Sequence, residues 1–275
     1  MMKKVFFFLL IAMVLASCRK EDSHSDIPAS DYRLSDDGLT LIRWNNRNTP
    51  RIDMQADSKL REVNTIGEGA FKGCEHLRAV TFSDNLKEIG AEAFAETDLS
   101  EALLFNSYSN VVLGEKAFYH SKIREVVLPK TKALPNHIFA NCKHLKEVTF
   151  KETGLIGEGA FYACEALEQV DLTQAGVKGI GKEAFANCQR LKKVLLSVTM
   201  NLKPIGDKAF AHCTSLKHLT ILALYPPYFE GDPFLGIPKA TFPKIYVPSK
   251  PEDLIDTYKR DPYWRALADY IQVIP

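Results

Sequence analysis

Hydrophobic positions recur along this chain in one repeated phrase. It reads Ile66-Gly-Glu-Gly-Ala-Phe71 and returns, with small changes, at Ile89–Phe94, Leu113–Phe118, Leu134–Phe139, Ile156–Phe161, Ile180–Phe185 and Ile205–Phe210. The phenylalanines lie 23, 24, 21, 22, 24 and 25 residues apart, and a weaker copy centred on Phe234 follows after another 24. Each copy runs on into a second pattern, as in Leu77-x-x-Val80-x-Phe82, Leu145-x-x-Val148-x-Phe150, Leu167-x-x-Val170-x-Leu172 and Leu191-x-x-Val194-x-Leu196. Its alternation predicts a short strand with Val80 and Phe82 inward and Thr81 outward. One strand per repeat of this length predicts an α/β repeat solenoid, right-handed, with the strands stacked as a parallel ladder. Eight such strands at about 4.8 Å span on the order of 40 Å. Ile-Gly reads as the turn, its glycine free to take a positive φ, and Ala-Phe sends a ring into the coil centre. The phenylalanines should therefore form a continuous spine.

The combined string Ile-Gly-x-x-Ala-Phe-x-x-Cys-x-x-Leu-x-x-Val resembles the BspA-type class of leucine-rich repeat, found in bacterial surface proteins and some protists, over Leu60 to Val247. The resemblance implies short turns or 3-10/helical segments on the convex side, a cap at each end, and non-catalytic adhesion to host matrix proteins or other cells. Tyr32–Leu41 resembles the N-terminal cap hairpin, with Asp37-Gly38 as its turn. At the other end Ile245-Tyr-Val-Pro248 reads as the last strand, and Leu254, Ile255, Tyr258, Trp264, Leu267 and Tyr270 as one helix face covering the open end. The expected organisation is a signal peptide at 1–17, a tether at 18–31, the N-terminal cap at 32–65, the leucine-rich repeat solenoid at 66–248 and a cap helix at 249–275.

The first residues change the picture of where such a solenoid works. Two lysines precede Val5–Ala16, an apolar run of twelve residues, shorter than the roughly 20 a spanning helix needs. The run ends in Leu15-Ala16-Ser17-Cys18, which resembles a bacterial lipobox, so Cys18 is the expected lipid attachment site. Arg19-Lys20-Glu21-Asp22 resembles the export tag of surface lipoproteins in the Bacteroidetes. Both imply an outer-membrane lipoprotein, anchored and not spanning, exposed at the cell surface.

Composition excludes other classes. Of 275 residues 46% are hydrophobic and 25% charged, an ordinary globular usage. Lys+Arg at 35 against Asp+Glu at 34 leaves a net +1, which supplies no field to gather nucleic acid. Cys74, Cys142, Cys164, Cys188 and Cys213 each stand three residues after the repeat Phe, where Thr97 and Ser121 stand in two other copies. The step from Phe to the next strand's apolar residue is six residues in the Cys copies and five in the Ser/Thr copies. Residue and turn length vary together, as for a small buried side chain plugging a turn. A disulfide between neighbours would need Cα atoms within about 7 Å. Cys74-x-His76 and Cys142-x-His144 lack zinc spacing, and Gly67-x-Gly69-x-x-x-Gly73 departs from the dinucleotide fingerprint. No metal, cofactor or enzymatic activity is expected.

What remains for function is the outward face of the strands. Arg78, Arg124, Lys146, Lys192 and Lys217 form one row, and Glu101, Glu125, Glu147, Gln169, Lys193 and His218 the next. Thr81, Leu103, Val127, Thr149, Asp171, Leu195 and Thr220 form a third, in which Leu103, Val127 and Leu195 are apolar groups on a wetted surface. The candidate ligand-binding residues are Arg78, Leu103, Arg124, Val127, Lys146, Lys192, Lys193, Leu195, Lys217 and His218. Their expected partner is an extracellular or host protein or glycoprotein, with a sulfated or sialylated glycan or an envelope-assembly role as the alternative, and the protein itself is expected to be a monomer.

Overall fold

The structure, a computed structural model, describes residues 26–105, 110–197 and 204–275. The signal segment and Cys18 lie outside the described residues. The chain winds through about nine stacked coils, and each coil has three sides.

The front side is the strand that the alternation predicts. Arg51–Asp53, Ala79–Thr81, Leu103–Leu104, Glu125–Val127, Glu147–Thr149, Gln169–Asp171, Lys193–Leu196, His218–Ile221, Lys244–Val247 and Ile271–Val273 follow one another as a ladder, parallel wherever neighbours bond. The Ile-Gly segment, expected as a turn, is itself a strand. Thr40–Trp44, Thr65–Ile66, Glu88–Ile89 and Val112–Leu113 stack in parallel as a side ladder, with Leu41, Ile66, Ile89 and Leu113 in register and buried. Thr131–Leu134, Thr153–Ile156 and Gly179–Ile180 resume it, and single bridges carry it on through Ile205 and Phe229. The glycine here is needed for a different reason from the one expected. Gly181 does not take a positive φ. A Cβ on it would stand 2.7 Å from both the Glu158 amide nitrogen and the Gly157 carbonyl carbon, so it is glycine because coils approach too closely for a side chain.

The third side is a ladder of turns. In each coil alternate N–H groups reach the next coil, as Phe71 to Ala93 O, Phe94 to Ala117 O and Phe161 to Ala184 O, while those between close four-residue β-turns, as Ala70 to Gly67 O and Lys72 to Gly69 O. This alternation demands two left-handed residues per coil. Gly69 and Gly73 supply them at φ 59° and 69°, but Glu92, Glu96, Lys116, His120 and Ala163 (φ 54°) occupy the same positions elsewhere. A non-glycine residue there carries strain of about 1 kcal/mol. Ala163→Gly relieves this strain, about 1 kcal/mol or more, against about 0.4–1 kcal/mol of entropy that glycine gains in the unfolded chain, so it should stabilise the protein by up to about 1 kcal/mol, read as a rise in the denaturation midpoint. The ladder ends cleanly at the last coil: Asp232 N–H donates to the Asp207 carboxylate at 3.1 Å and Phe234 N–H to that of Asp232 at 3.0 Å.

Inside, Phe71, Phe94, Phe118, Phe139, Phe161, Phe185, Phe210 and Phe234 stack with centroids 4.7–5.9 Å apart. Trp44 takes the place of a Phe in front of them, 5.5 Å from Phe71. The cysteines sit against this spine. Cys142, Cys164, Cys188 and Cys213 donate their thiols to the Phe carbonyl of the preceding coil at 3.0–3.3 Å. Thr97 reaches its own Phe94 carbonyl at 2.8 Å. The position thus selects a small buried donor, which explains why Cys, Ser and Thr alternate there.

The N-terminal hairpin is antiparallel, turning at Gly38 (φ 74°). The chain is already fixed ahead of residue 32, within the segment expected as tether: Ile27 N–H donates to Asp57 at 2.8 Å and Ser58 N–H to Asp26 at 2.9 Å. The C-terminal cap is also more than one helix. The α-helix covers only Leu254–Arg260; Arg265–Tyr270 is 3-10, and Ile271–Val273 adds a further parallel strand beyond Lys244–Val247. Tyr258 and Trp264 are wholly buried, held by Tyr258 OH to Ala223 O at 3.1 Å and Trp264 Nε1 to Pro227 O at 2.6 Å.

Candidate functional site

Strand register on the front ladder decides which side chains share a row. Glu125 and Glu147 lie side by side, as do Val127 and Thr149. Further along, Gln169, Lys193, His218 and Lys244 follow one another, and Asp171, Leu195, Thr220 and Tyr246 form the row beside them. The first row therefore changes from acidic to basic toward the C-terminal end.

The basic end is less crowded with counter-charges than the sequence suggests, with one exception. Lys192 is 2.9 Å from Glu168, which also takes Arg190 at 3.2 Å. The Lys192 ammonium, by hydrogen bond and charge, holds the Glu168 carboxyl below the usual carboxylate range. Lys192 is thus engaged by Glu168, which it shares with Arg190. Lys193, Lys217 and Lys244 have no carboxylate within 4.0 Å among the described residues. The His218 ring lies 5.8 Å from that of Tyr246. Exposed apolar groups continue the same strand outward, with Leu222 at 41% and Leu224 at 55% exposure. Lys244, Tyr246 and Leu222 were not among the sequence candidates; register brings in the first two, which the strand alternation from Lys244 could have found, and exposure brings in the third.

At the N-terminal end the candidates fare differently. Arg78 stands 4.0 Å from Asp98, which Lys122 approaches to 3.3 Å. Arg124 and Lys146 are exposed beside Glu125 and Glu147. Such exposed pairs contribute little. Leu103 is a correction: it is 4% exposed and pairs with Val126, on the inward row, while Leu104, 52% exposed, pairs with Val127. From Leu99 to Leu103 is four residues where Ile123 to Val126 is three, and one extra residue turns every following side chain to the opposite face. The extra residue also parts the front ladder between Ala79–Thr81 and Leu103–Leu104. A cleft of about 490 Å³ opens there over Phe82, Phe105 and Leu104, with the Arg51–Glu101 ion pair at its rim.

The cysteines of the repeats are packed away from solvent. All five described are buried and unbridged. Burial pushes the Cys142 thiol up to about 11 and Cys213 to about 12, with Cys164 and Cys188 raised well above the ordinary range. A thiol reagent should leave these five unmodified in the native protein and label them on unfolding; native labelling would contradict the packing. Each raised value means the folded thiol holds its proton longer than the unfolded one. Stability is full below the unfolded thiol's pKa of about 8.5 and falls as pH rises beyond it.

Residues 55–112 and 111–225 match the BspA type leucine rich repeat region, in six copies. The chain belongs to this family. Among solved structures this BspA-type chain is similar to a leucine rich repeat protein of T. pallidum, 22% identical, covering 79% of this chain and 92% of that one, with TM-score 0.46. It is similar also to a leucine rich cell surface protein from Faecalibacterium prausnitzii A2-165, 20% identical over 74% of this chain and 72% of that one, TM-score 0.46. A leucine-rich repeat protein from Bacteroides ovatus is 14% identical over 89% and 98%, TM-score 0.32. No curated protein matches the sequence. Among the described residues no helix is long and apolar enough to cross a membrane, and no three His, Cys, Asp or Glu residues are grouped to hold a metal ion.

Proposed function

We propose that this protein is a non-catalytic binding module, lipid-anchored through Cys18 at the outer membrane and facing outward, that recognises an acidic protein or glycoprotein with the C-terminal end of its front face. The carrying observation is the row Lys193, His218 and Lys244, with Lys217 beside it, next to Leu195 and Tyr246. Cations without partners draw an acidic surface in and set its register. Half-buried and exposed apolar groups beside them give the contact area. Because the strands from Gln169–Asp171 to Ile271–Val273 form one bonded sheet, little ordering is lost on binding at this end. A glycan is the second reading, favoured by the adjacent His218 and Tyr246 rings, on which a sugar ring can lie.

Anchoring and binding are tested separately. Acyl-chain labelling should mark the wild-type protein and not Cys18→Ala, and protease added to intact cells should remove the wild type. Protection from protease would place it on the periplasmic side. Charge reversal at Lys193, Lys217 and Lys244 together should release cells from an immobilised acidic ligand, while cells that stay bound would move the binding face elsewhere.

A further inference from the structure

The side ladder is interrupted at one point, and the interruption has a chemical cause. Gly67, Gly90, Gly114, Gly181 and Gly206 each donate an N–H to the preceding coil, to Leu41 O, Ile66 O, Ile89 O, Ile156 O and Ile180 O. The fourth copy carries Pro135 at this position, and proline has no N–H to give. Strands Val112–Leu113 and Thr131–Leu134 are accordingly not hydrogen-bonded neighbours, although the turn ladder beside them continues through Lys116 to Asn136 and Phe118 to Ile138. The Leu113 carbonyl is left without the donor that Leu41, Ile66, Ile89, Ile156 and Ile180 have, so among the described residues Val112–Leu113 presents an open strand edge.

A trough of about 1150 Å³ lies along that edge. Val112, 61% exposed, and Leu155 give it an apolar floor, and Ala133 and Gly154 keep it shallow. Lys132 and Lys178 rim it with no carboxylate within 4.0 Å among the described residues, whereas Lys130 is tied to Glu152 at 2.6 Å. Thr153, which also lines it, carries a wholly buried hydroxyl without a hydrogen-bond partner among the described residues. Native proteins keep few such orphans.

We infer that this trough binds an extended acidic peptide segment of a partner protein, laid along the open edge of Val112–Leu113. Main-chain groups at a strand edge recognise another peptide backbone, and alternate side chains then fall on the floor and toward the rim. The lysines select the sign of the partner. They also repel a second copy of this chain at the same edge, the usual service of lysine on an exposed strand. This site is separate from the front face and does not depend on its ligand.

The test is fluorescence anisotropy of a labelled octapeptide of alternating Glu and Val, titrated with the full-length protein. Saturable binding is expected, weakened at least tenfold by Lys132→Glu with Lys178→Glu. Lys72→Glu with Lys143→Glu, on the turn side of the coil, makes the same change in net charge and should leave it within twofold. Pro135→Gly restores the residue type of the other copies and the missing donor, and should also weaken binding at least tenfold while the circular dichroism spectrum is kept. The same peptide N-methylated at alternate residues should bind at least tenfold more weakly. Absence of saturable binding, equal binding of the N-methylated peptide, indifference to Pro135→Gly or to the Lys132/Lys178 pair, or equal binding of an oligogalacturonate would each overturn the assignment.

Discussion

Phe139→Ala should destabilise the protein by about 3–5 kcal/mol, the cost of an aromatic cavity that its surroundings refill only in part. The ring is wholly buried, 5.3 Å from Phe118 and 5.5 Å from Phe161, both nearly parallel to it. In a stacked-coil protein each coil touches only its neighbours, so the damage is local and the two sides should come apart as separate cooperative units. The chain carries its own reporters for this. Its two tryptophans, Trp44 and Trp264, sit at opposite ends of the aromatic spine. Trp44→Phe and Trp264→Phe leave one indole each, and denaturant titrations of these single-tryptophan proteins should coincide in the parent and diverge once Phe139→Ala is added. A midpoint shifted by less than the equivalent of 1 kcal/mol would mean the spine does not couple the coils.

The second large effect is expected from the smallest change. Gly181→Ala adds one methyl group, but its Cβ meets only backbone: Glu158 N and Gly157 C at 2.7 Å and Gly157 O at 2.9 Å. No side chain can swing aside, so two coils must separate. Overpacking of this kind costs typically about 1–3 kcal/mol, and a backbone clash belongs at the upper end. Equilibrium denaturation measures it. The result is sharpened by Ala163→Gly, which moves stability the other way because Ala163 is held at φ 54°. Two positions in successive repeats thus favour glycine for unrelated reasons, one steric and one conformational.

Much of this fold was legible in the repeat phrase. The Phe spacing placed the spine, the Leu-x-x-Val alternation placed the front strands, and Asp37-Gly38 placed the cap hairpin. The misreadings have physical causes. Ile-Gly reads as a turn because two residues are too few to show an alternation; only the register of Leu41, Ile66, Ile89 and Leu113 across coils makes them a strand. Leu103 reads as outward because a single extra residue after Leu99 is invisible unless the inward positions are counted from both sides. The last strand, Ile271–Val273, follows a 3-10 segment whose apolar pattern alone reads as a helix face. On the candidate site, residue type located the cations but not their partners. Lys192 and Lys193 are adjacent in sequence, yet Lys192 pairs with Glu168 while Lys193 has no carboxylate within 4.0 Å among the described residues.

The most direct test is binding of the purified protein to immobilised matrix proteins, mucins and acidic glycans across a salt series, beside the Lys193→Glu, Lys217→Glu, Lys244→Glu triple variant. The expected result is a ligand whose binding weakens as salt rises through the range where the Debye length falls below about 10 Å, and which the triple variant loses at least tenfold. A ligand held equally by both proteins and indifferent to salt would contradict recognition through the basic end of the front face.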